Sequence, residues 1–181
     1  EIQVKYSTDD ALAQRLVQIT PAELFKTRYD QKVILTMIDV RPEADYNLFH
    51  VRGAVNLPSA ELKSHIPDLL ATAAPNAIYV VMSNDETLAT QAWKLLTAEG
   101  VPNVYILEGG LNNWITVFGE TDAEILPISV TTDETLKFQF PSALGDRYEC
   151  SDPSPIENEN IEFTPKIQLQ MKRDKSGGGC G

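Results

Sequence analysis

Cysteine and histidine are scarce in this chain: of 181 residues, two are Cys and two are His. Cys150 and Cys180 make neither a disulfide framework nor a metal-ligand spacing, although one bridge between them is open in an oxidising compartment. A single thiol does not build a tetrahedral metal site, so no metal is expected, and the chain carries no motif that calls for a cofactor. Basic residues are also few, 15 Lys and Arg against 26 Asp and Glu, giving a net charge of -11. Such a field repels phosphate backbones and anionic lipid surfaces, so nucleic acid is not an expected partner. No stretch reaches the roughly 20 apolar residues that cross a bilayer, so no transmembrane segment is expected within the chain. The sequence starts at Glu1 rather than Met. A leader or membrane anchor ahead of it stays open, and an extracytoplasmic location, periplasmic or membrane-associated, is slightly favoured.

What is present is a hydrophobic content of 43%, enough for one packed domain with an appendage. Leu12, Leu16 and Ile19 sit at helical spacing in an amphipathic opening segment, and Thr20-Pro21 reads as an N-cap followed by proline at the first helical position. A short helix through Leu24 and Phe25 follows. Val33 to Val40 and Ile78 to Met82 are nearly continuous apolar runs rich in β-branched residues, as strands buried on both faces of a parallel sheet require. Leu88, Ala92, Leu95 and Leu96 predict a helix that Gly100 caps, and Val104 to Leu107 a third strand. Gly109-Gly110 then turns the chain into a last helix carrying Trp114. Strands alternating with helices in this way predict an α/β fold, a central parallel sheet flanked by helices.

Beyond about Gly119 prolines recur at 127, 141, 153, 155 and 165 and helical periodicity is lost. Leu136, Phe138 and Phe140 alternate with polar residues, as do Ile167, Leu169 and Met171. An extended C-terminal tail with short strands is predicted, each with an apolar face to be covered by the domain itself or by another protein.

The segment Ile38-Asp39-Val40-Arg41-Pro42-Glu43-Ala44-Asp45-Tyr46, then His50, then Gly53-Ala54-Val55-Asn56-Leu57-Pro58, closely resembles the first signature of rhodanese-like domains. Leu96, Gly100, Asn103-Val104, Leu107-Glu108-Gly109-Gly110 and Trp114 resemble that family's closing strand, double-glycine turn and final helix. The resemblance implies an N-terminal extension over residues 1–18, a rhodanese-like domain over 19–119 and a tail over 120–181. On that division the domain is expected to fold without the tail. Asp39, Arg41, Asp45, His50, Gly53, Gly109 and Gly110 are the motif residues. Asp39 and Arg41 fall at the carboxyl end of a buried strand, where open α/β sheets place their sites, but such a pair more often fixes loop geometry than acts on a substrate. His50 reads as a hydrogen-bonded residue rather than a base.

In the family the second strand leads into a loop with a nucleophilic cysteine, then glycine and arginine, ending at a helix N-terminus whose amides and dipole hold an anion and depress the thiol pKa. Counting back from Leu96 and Gly100 puts the nucleophile position at Ser83, and the loop reads Ser83-Asn84-Asp85-Glu86-Thr87-Leu88, without thiol, arginine or glycine. A serine hydroxyl does not carry a persulfide, and with no positioned base it is a poor nucleophile. The related dual-specificity phosphatases also need cysteine and arginine here, so phosphatase activity is equally disfavoured. Ser83 or Asn84 reads as the helix cap, with Asp85 and Glu86 favoured by the dipole.

The chain ends Lys175-Ser176-Gly177-Gly178-Gly179-Cys180-Gly181. That arm is either an incidental thiol on a disordered end, a swinging sulfur carrier or redox thiol, or a group for ligation in trans, for a disulfide with Cys150 or for covalent attachment. Three functions follow. One is a catalytically inactive binding module or accessory subunit with a protein partner on the tail. Another is an unconventional sulfurtransferase or sulfur carrier using Cys180. The last is a small-ligand module whose loop, with Asp85 and Glu86, suits a cationic or neutral ligand.

Overall fold

The computed structural model describes residues 6–119, 126–127, 132–139 and 150–169. In chain order its elements are α1 (Thr8–Ala13), β1 (Gln18–Ile19), α2 (Pro21–Thr27), β2 (Ile34–Asp39), α3 (Glu43–Leu48), β3 (His50–Val51), β4 (Val55–Asn56), α4 (Leu62–Thr72), β5 (Ala77–Met82), α5 (Thr87–Ala98), β6 (Val104–Leu107), α6 (Gly110–Phe118), β7 (Leu126–Pro127), β8 (Phe138–Gln139) and β9 (Cys150–Ser151). Five strands form one parallel sheet in the order β1-β6-β5-β2-β4.

Strand alternation explains why the runs read as continuously apolar. In β5, Ala77, Tyr79 and Val81 face a core layer with Leu62 and Ile66 of α4 and Ala89, Ala92, Trp93 and Leu96 of α5. Ile78, Val80 and Met82 face the opposite layer with Leu24 and Phe25 of α2 and Leu111 and Trp114 of α6. Helices cover both faces, so both sets of side chains are apolar. The caps are where the sequence places them: the Thr20 side chain accepts from the Glu23 amide with Pro21 opening α2, and Gly100 ends α5 with φ +88°.

The opening segment differs from its helical periodicity. The α1 helix ends at Ala13, Arg15 turns the chain with φ 56°, and Ile19 lies in β1, fully buried. Pairing with β6, Gln18 to Ile106 and Ile19 to Leu107, extends the sheet by one strand. Closing that open edge satisfies a row of backbone groups, which outweighs a weak helical pattern.

The tail follows its predicted alternation only in part. Phe138 lies in β8, antiparallel to β7, while Ile167 and Leu169 lie in no ladder; Phe140 and Met171 fall outside the described residues. Side chains of the domain satisfy that backbone instead: Glu23 Oε1 accepts from the Lys166 and Ile167 amides at 2.7 and 2.9 Å, and the Tyr105 hydroxyl from the Gln168 amide at 3.0 Å. Leu136, Ile161, Ile167 and Leu169 pack on the layer that holds Ile19, Phe25 and Trp114. The surface covering these apolar residues is therefore the chain's own domain. Among the described residues no helix is long and apolar enough to cross a membrane.

Candidate functional site

The site stands at the carboxyl edge of the sheet, where such folds gather their loops. Asp39 pairs in register with Met82, and the Val40 amide donates to the Met82 carbonyl at 3.0 Å, so the loops after β2 and β5 leave side by side. Asp39 and Arg41 are both fully buried. Arg41 donates Nε to Asp39 Oδ1 at 3.0 Å and Nη2 to Asp39 Oδ2 at 2.7 Å, and Nη2 also reaches the Phe49 carbonyl. Its remaining nitrogen, Nη1, donates to Asn84 Oδ1 at 3.1 Å. The guanidinium thus ties together the β2 exit, the end of α3 and the loop after β5.

Ser83 is fully buried and Asn84 nearly so. Ser83 Oγ accepts from the Ala89 amide at 3.1 Å, and Asp85 Oδ1 accepts from the Thr87 amide at 2.6 Å. Two free donors of the first turn of α5 are thereby satisfied, with Asn84 playing no capping part. The third, the Leu88 amide, donates at 3.1 Å to Glu134 Oε1, a carboxylate that arrives from the tail. Ser83 Oγ donates to the same oxygen at 2.6 Å, with the Asp85 carbonyl as alternative acceptor at 2.8 Å, and the Asn84 amide donates to Glu134 Oε2 at 3.2 Å. The Glu134 amide in turn donates to Asp85 Oδ2 at 2.7 Å.

Two carboxyl groups in one pocket split their proton affinities. Burial opposes ionisation of Asp85, yet the hydrogen bonds from Glu134 and the Thr87 amide outweigh it and hold the group down at about 2. Glu134 moves the opposite way, pushed up by burial first and by Asp85 next. The loop therefore receives a carboxyl group, although its acidic residues suggested a cationic or neutral occupant. Counting side-chain charge missed that Glu86 turns outward: it accepts from the Gly109 amide at 2.7 Å and takes Arg15 in a bidentate pair at 2.8 Å. The Glu134 carboxyl group meets the Asn84 and Leu88 amides and the Ser83 hydroxyl, while the Asp85 carboxylate meets the Glu134 amide.

The double-glycine turn holds the loop from the other side. The Leu111 and Asn112 amides of α6 donate to the Ser83 and Asn84 carbonyls at 2.9 and 3.0 Å. Gly110 has φ +62°, and a Cβ there would meet the carbonyl oxygens of Asp85, Ser83 and Asn84 at 2.4, 2.5 and 2.6 Å. Gly100, also at positive φ, would meet nothing within 4 Å. Gly110→Ala is accordingly expected to destabilise by about 2–3 kcal/mol and Gly100→Ala by about 1 kcal/mol, the difference being the crowding. Urea denaturation of both variants checks this, and equal losses would show that the loop carbonyls yield freely.

The other motif residues are structural in placement. His50 Nδ1 lies 2.8 Å from the Tyr46 carbonyl and its ring stacks on Tyr46 at 3.9 Å. Asp45 is in the first turn of α3 and Gly53 takes φ +86° in the turn before β4. Cys150 pairs with His50 across β3 and β9, while Cys180 lies outside the described residues. Among the described residues no group of three or more His, Cys, Asp or Glu could hold a metal ion. Glu134, Arg15 and Asn112 were not singled out by sequence. A weak signal exists: the tetrapeptide Asp-Glu-Thr-Leu occurs at 85–88 and again at 133–136, and both glutamates accept backbone amides at the start of a helix.

Comparison with known proteins agrees with this architecture. The profile of the rhodanese-like domain matches residues 20–116, more than half of the chain. An HTH-type transcriptional regulator of Mycobacterium tuberculosis is 35% identical over 86 residues, 45% of this chain and 37% of that protein. The centrosomal protein of 41 kDa of Xenopus tropicalis is 34% identical over 80 residues, 41% of this chain and 22% of that protein. The chain thus spans well under half the length of both curated relatives. The crystal structure of a thiosulfate sulfurtransferase from Pseudomonas aeruginosa superposes with TM-score 0.51 at 20% identity, covering 63% of this chain and 21% of that one. The profile match and the parallel sheet with its helices on both faces place this chain in the rhodanese-like domain family.

Proposed function

We propose that this chain is a catalytically inactive rhodanese-like protein that serves as a binding module or accessory subunit of a larger protein complex. The observation that carries the reading is the loop after β5, where Ser83 stands at the position counted for the family's nucleophile. Its hydroxyl is buried and committed to Glu134, Asp85 and the Ala89 amide. Sulfur transfer by the family's route needs a thiolate that attacks a sulfane sulfur and carries it as a persulfide, which an alcohol does not do. Residues 83–88 also contain no arginine to hold the anionic donor, and the carboxyl group of Glu134 occupies the amides that would receive it.

Because Leu136, Ile167 and Leu169 pack on the chain's own core, the binding role rests on the loop and not on uncovered tail strands. The domain also matches part of two longer proteins named for transcription regulation and for the centrosome, which supports a module within larger assemblies.

A thiosulfate:cyanide sulfurtransferase assay tests the reading, run on the full chain beside Ser83→Cys and Cys180→Ser. No turnover above background is expected from the wild type. Ser83→Cys is expected to stay within about tenfold of background, since the thiol alone restores neither the arginine nor an open cradle. Wild-type turnover abolished by Cys180→Ser would overturn the proposal and make the glycine arm the catalytic element.

A further inference from the structure

We propose that loop 83–88 and Asn112 form a receptor for an acidic peptide segment, with residues 132–137 as a built-in ligand that an acidic segment of another protein chain displaces. The inference rests on the non-catalytic reading of the loop and names what that loop would bind. The contacts with this strap are those by which proteins read peptides, one side chain for identity and the main chain for alignment. Identity comes from the Glu134 carboxyl group, which meets the Ser83 hydroxyl and the Asn84 and Leu88 amides. Alignment comes from main-chain bonds: Asn84 Nδ2 donates to the Glu134 carbonyl at 3.1 Å, and Asp85 Oδ2 accepts from the Glu134 amide. The Asn112 side chain pairs with the strap as a neighbouring strand would, donating Nδ2 to the Thr135 carbonyl at 2.9 Å and accepting from the Lys137 amide at 2.7 Å.

The receptor is held in place by groups other than the strap. Arg41 holds Asn84 Oδ1, the α6 amides hold the Ser83 and Asn84 carbonyls, and Asn112 belongs to the first turn of α6. Ser83, Asn84 and Asn112 are 0%, 7% and 7% exposed, so displacing the strap would uncover a preformed polar pocket. On the strap, Thr132, Asp133 and Lys137 are exposed. Its hold carries strain, because Glu134 has φ 54°, a region that side chains other than glycine disfavour. An incoming segment not tethered at both ends can approach with relaxed backbone. The tethered strap has the advantage of high effective concentration, which sets how strongly it masks the site.

The test uses the full chain and a fluorescent peptide of the strap sequence Thr-Asp-Glu-Thr-Leu-Lys, with a counterpart carrying Ala for Glu. Two variants empty the receptor: Glu134→Ala, and replacement of residues 133–136 by Gly-Ser-Gly-Ser, each checked for a cooperative melt. Anisotropy titration is expected to show both variants binding the Glu peptide at least about tenfold tighter than wild type does, and the Ala peptide at least about tenfold weaker. Folded variants that bind neither peptide, or both equally, would overturn the proposal. So would acetate or thiosulfate binding as tightly as the peptide, since the pocket would then be a plain anion site. Should the variants not fold, saturating peptide is expected to shift the Glu134 and Lys137 amide resonances of the labelled wild type, as the strap leaves Asp85 and Asn112, and unshifted resonances would overturn the proposal. Turnover in the sulfurtransferase assay bears on the catalytic reading alone, so the two failures are told apart.

Discussion

Arg41→Met is expected to destabilise the protein by about 3–5 kcal/mol, because it strands the carboxylate of Asp39 in a site with no exposure. The wild-type carboxylate takes the Nε and Nη2 donors of Arg41 and the Arg41 amide at 3.0 Å. The methionine side chain is close in length, so packing is largely kept and the loss is electrostatic. Two further contacts go with it: the guanidinium no longer reaches the Phe49 carbonyl, and it no longer holds Asn84 Oδ1, which ties loop 83–88 to β2. Removing both charges together, as Asp39→Leu with Arg41→Met, is expected to recover at least about 2 kcal/mol of the single-variant loss, because no buried charge is then left unpaired. Urea denaturation of the wild type, both single variants and the double variant closes the cycle. A single-variant loss under about 1 kcal/mol would mean that water reaches Asp39 and that the pair is not the tie described above.

The same pair shows how much of the site was legible in the sequence. An aspartate and an arginine two residues apart at the end of an apolar run already point to a carboxyl-edge loop stabilised by their hydrogen bonds. The reach of Nη1 to Asn84 was not legible, because it depends on register between β2 and β5, where Asp39 and Met82 lie side by side. Sheet order is a long-range property, and the alternation of Ile78, Val80 and Met82 against Tyr79 and Val81 says only that both faces are covered, not by what. The opening helix stops short for a related reason: Leu12, Leu16 and Ile19 keep helical spacing, but α1 ends at Ala13 and a strand edge beside Ile106 and Leu107 captured Ile19. Glu134 was the hardest case. It stands in a polar stretch with no periodicity, and its part emerges only when residues 46 to 51 positions apart meet at the N-terminus of α5. Gly110 was readable as a turn glycine, while the three carbonyl oxygens that exclude a side chain there belong to a loop distant in sequence.

Truncation after Gly119 is expected to lose more than about 5 kcal/mol, enough to leave a domain of ordinary stability without a cooperative fold, even though residues 20–116 carry the whole family match. The loss follows from what the tail satisfies. Glu23 is 2% exposed, and its Oε1 has the Lys166 and Ile167 amides as partners. The Trp114 indole N–H, fully buried, donates to Ser151 Oγ at 2.8 Å. Arg28 loses its partner Asp152 at 2.9 Å, and the layer of Phe25, Trp114 and Leu111 loses the cover of Leu136, Ile161, Ile167 and Leu169. Each buried polar group left open forfeits about 1–3 kcal/mol, and the uncovered apolar side chains add to that. Near-UV circular dichroism and a thermal melt of residues 1–119 read the outcome. A sharp transition within about 1 kcal/mol of the full chain would show that the tail merely rests on the domain; its loss would mean that the tail completes the fold, so that complex formation by the protein has to be mapped with point variants in the strap and loop and not with deletions.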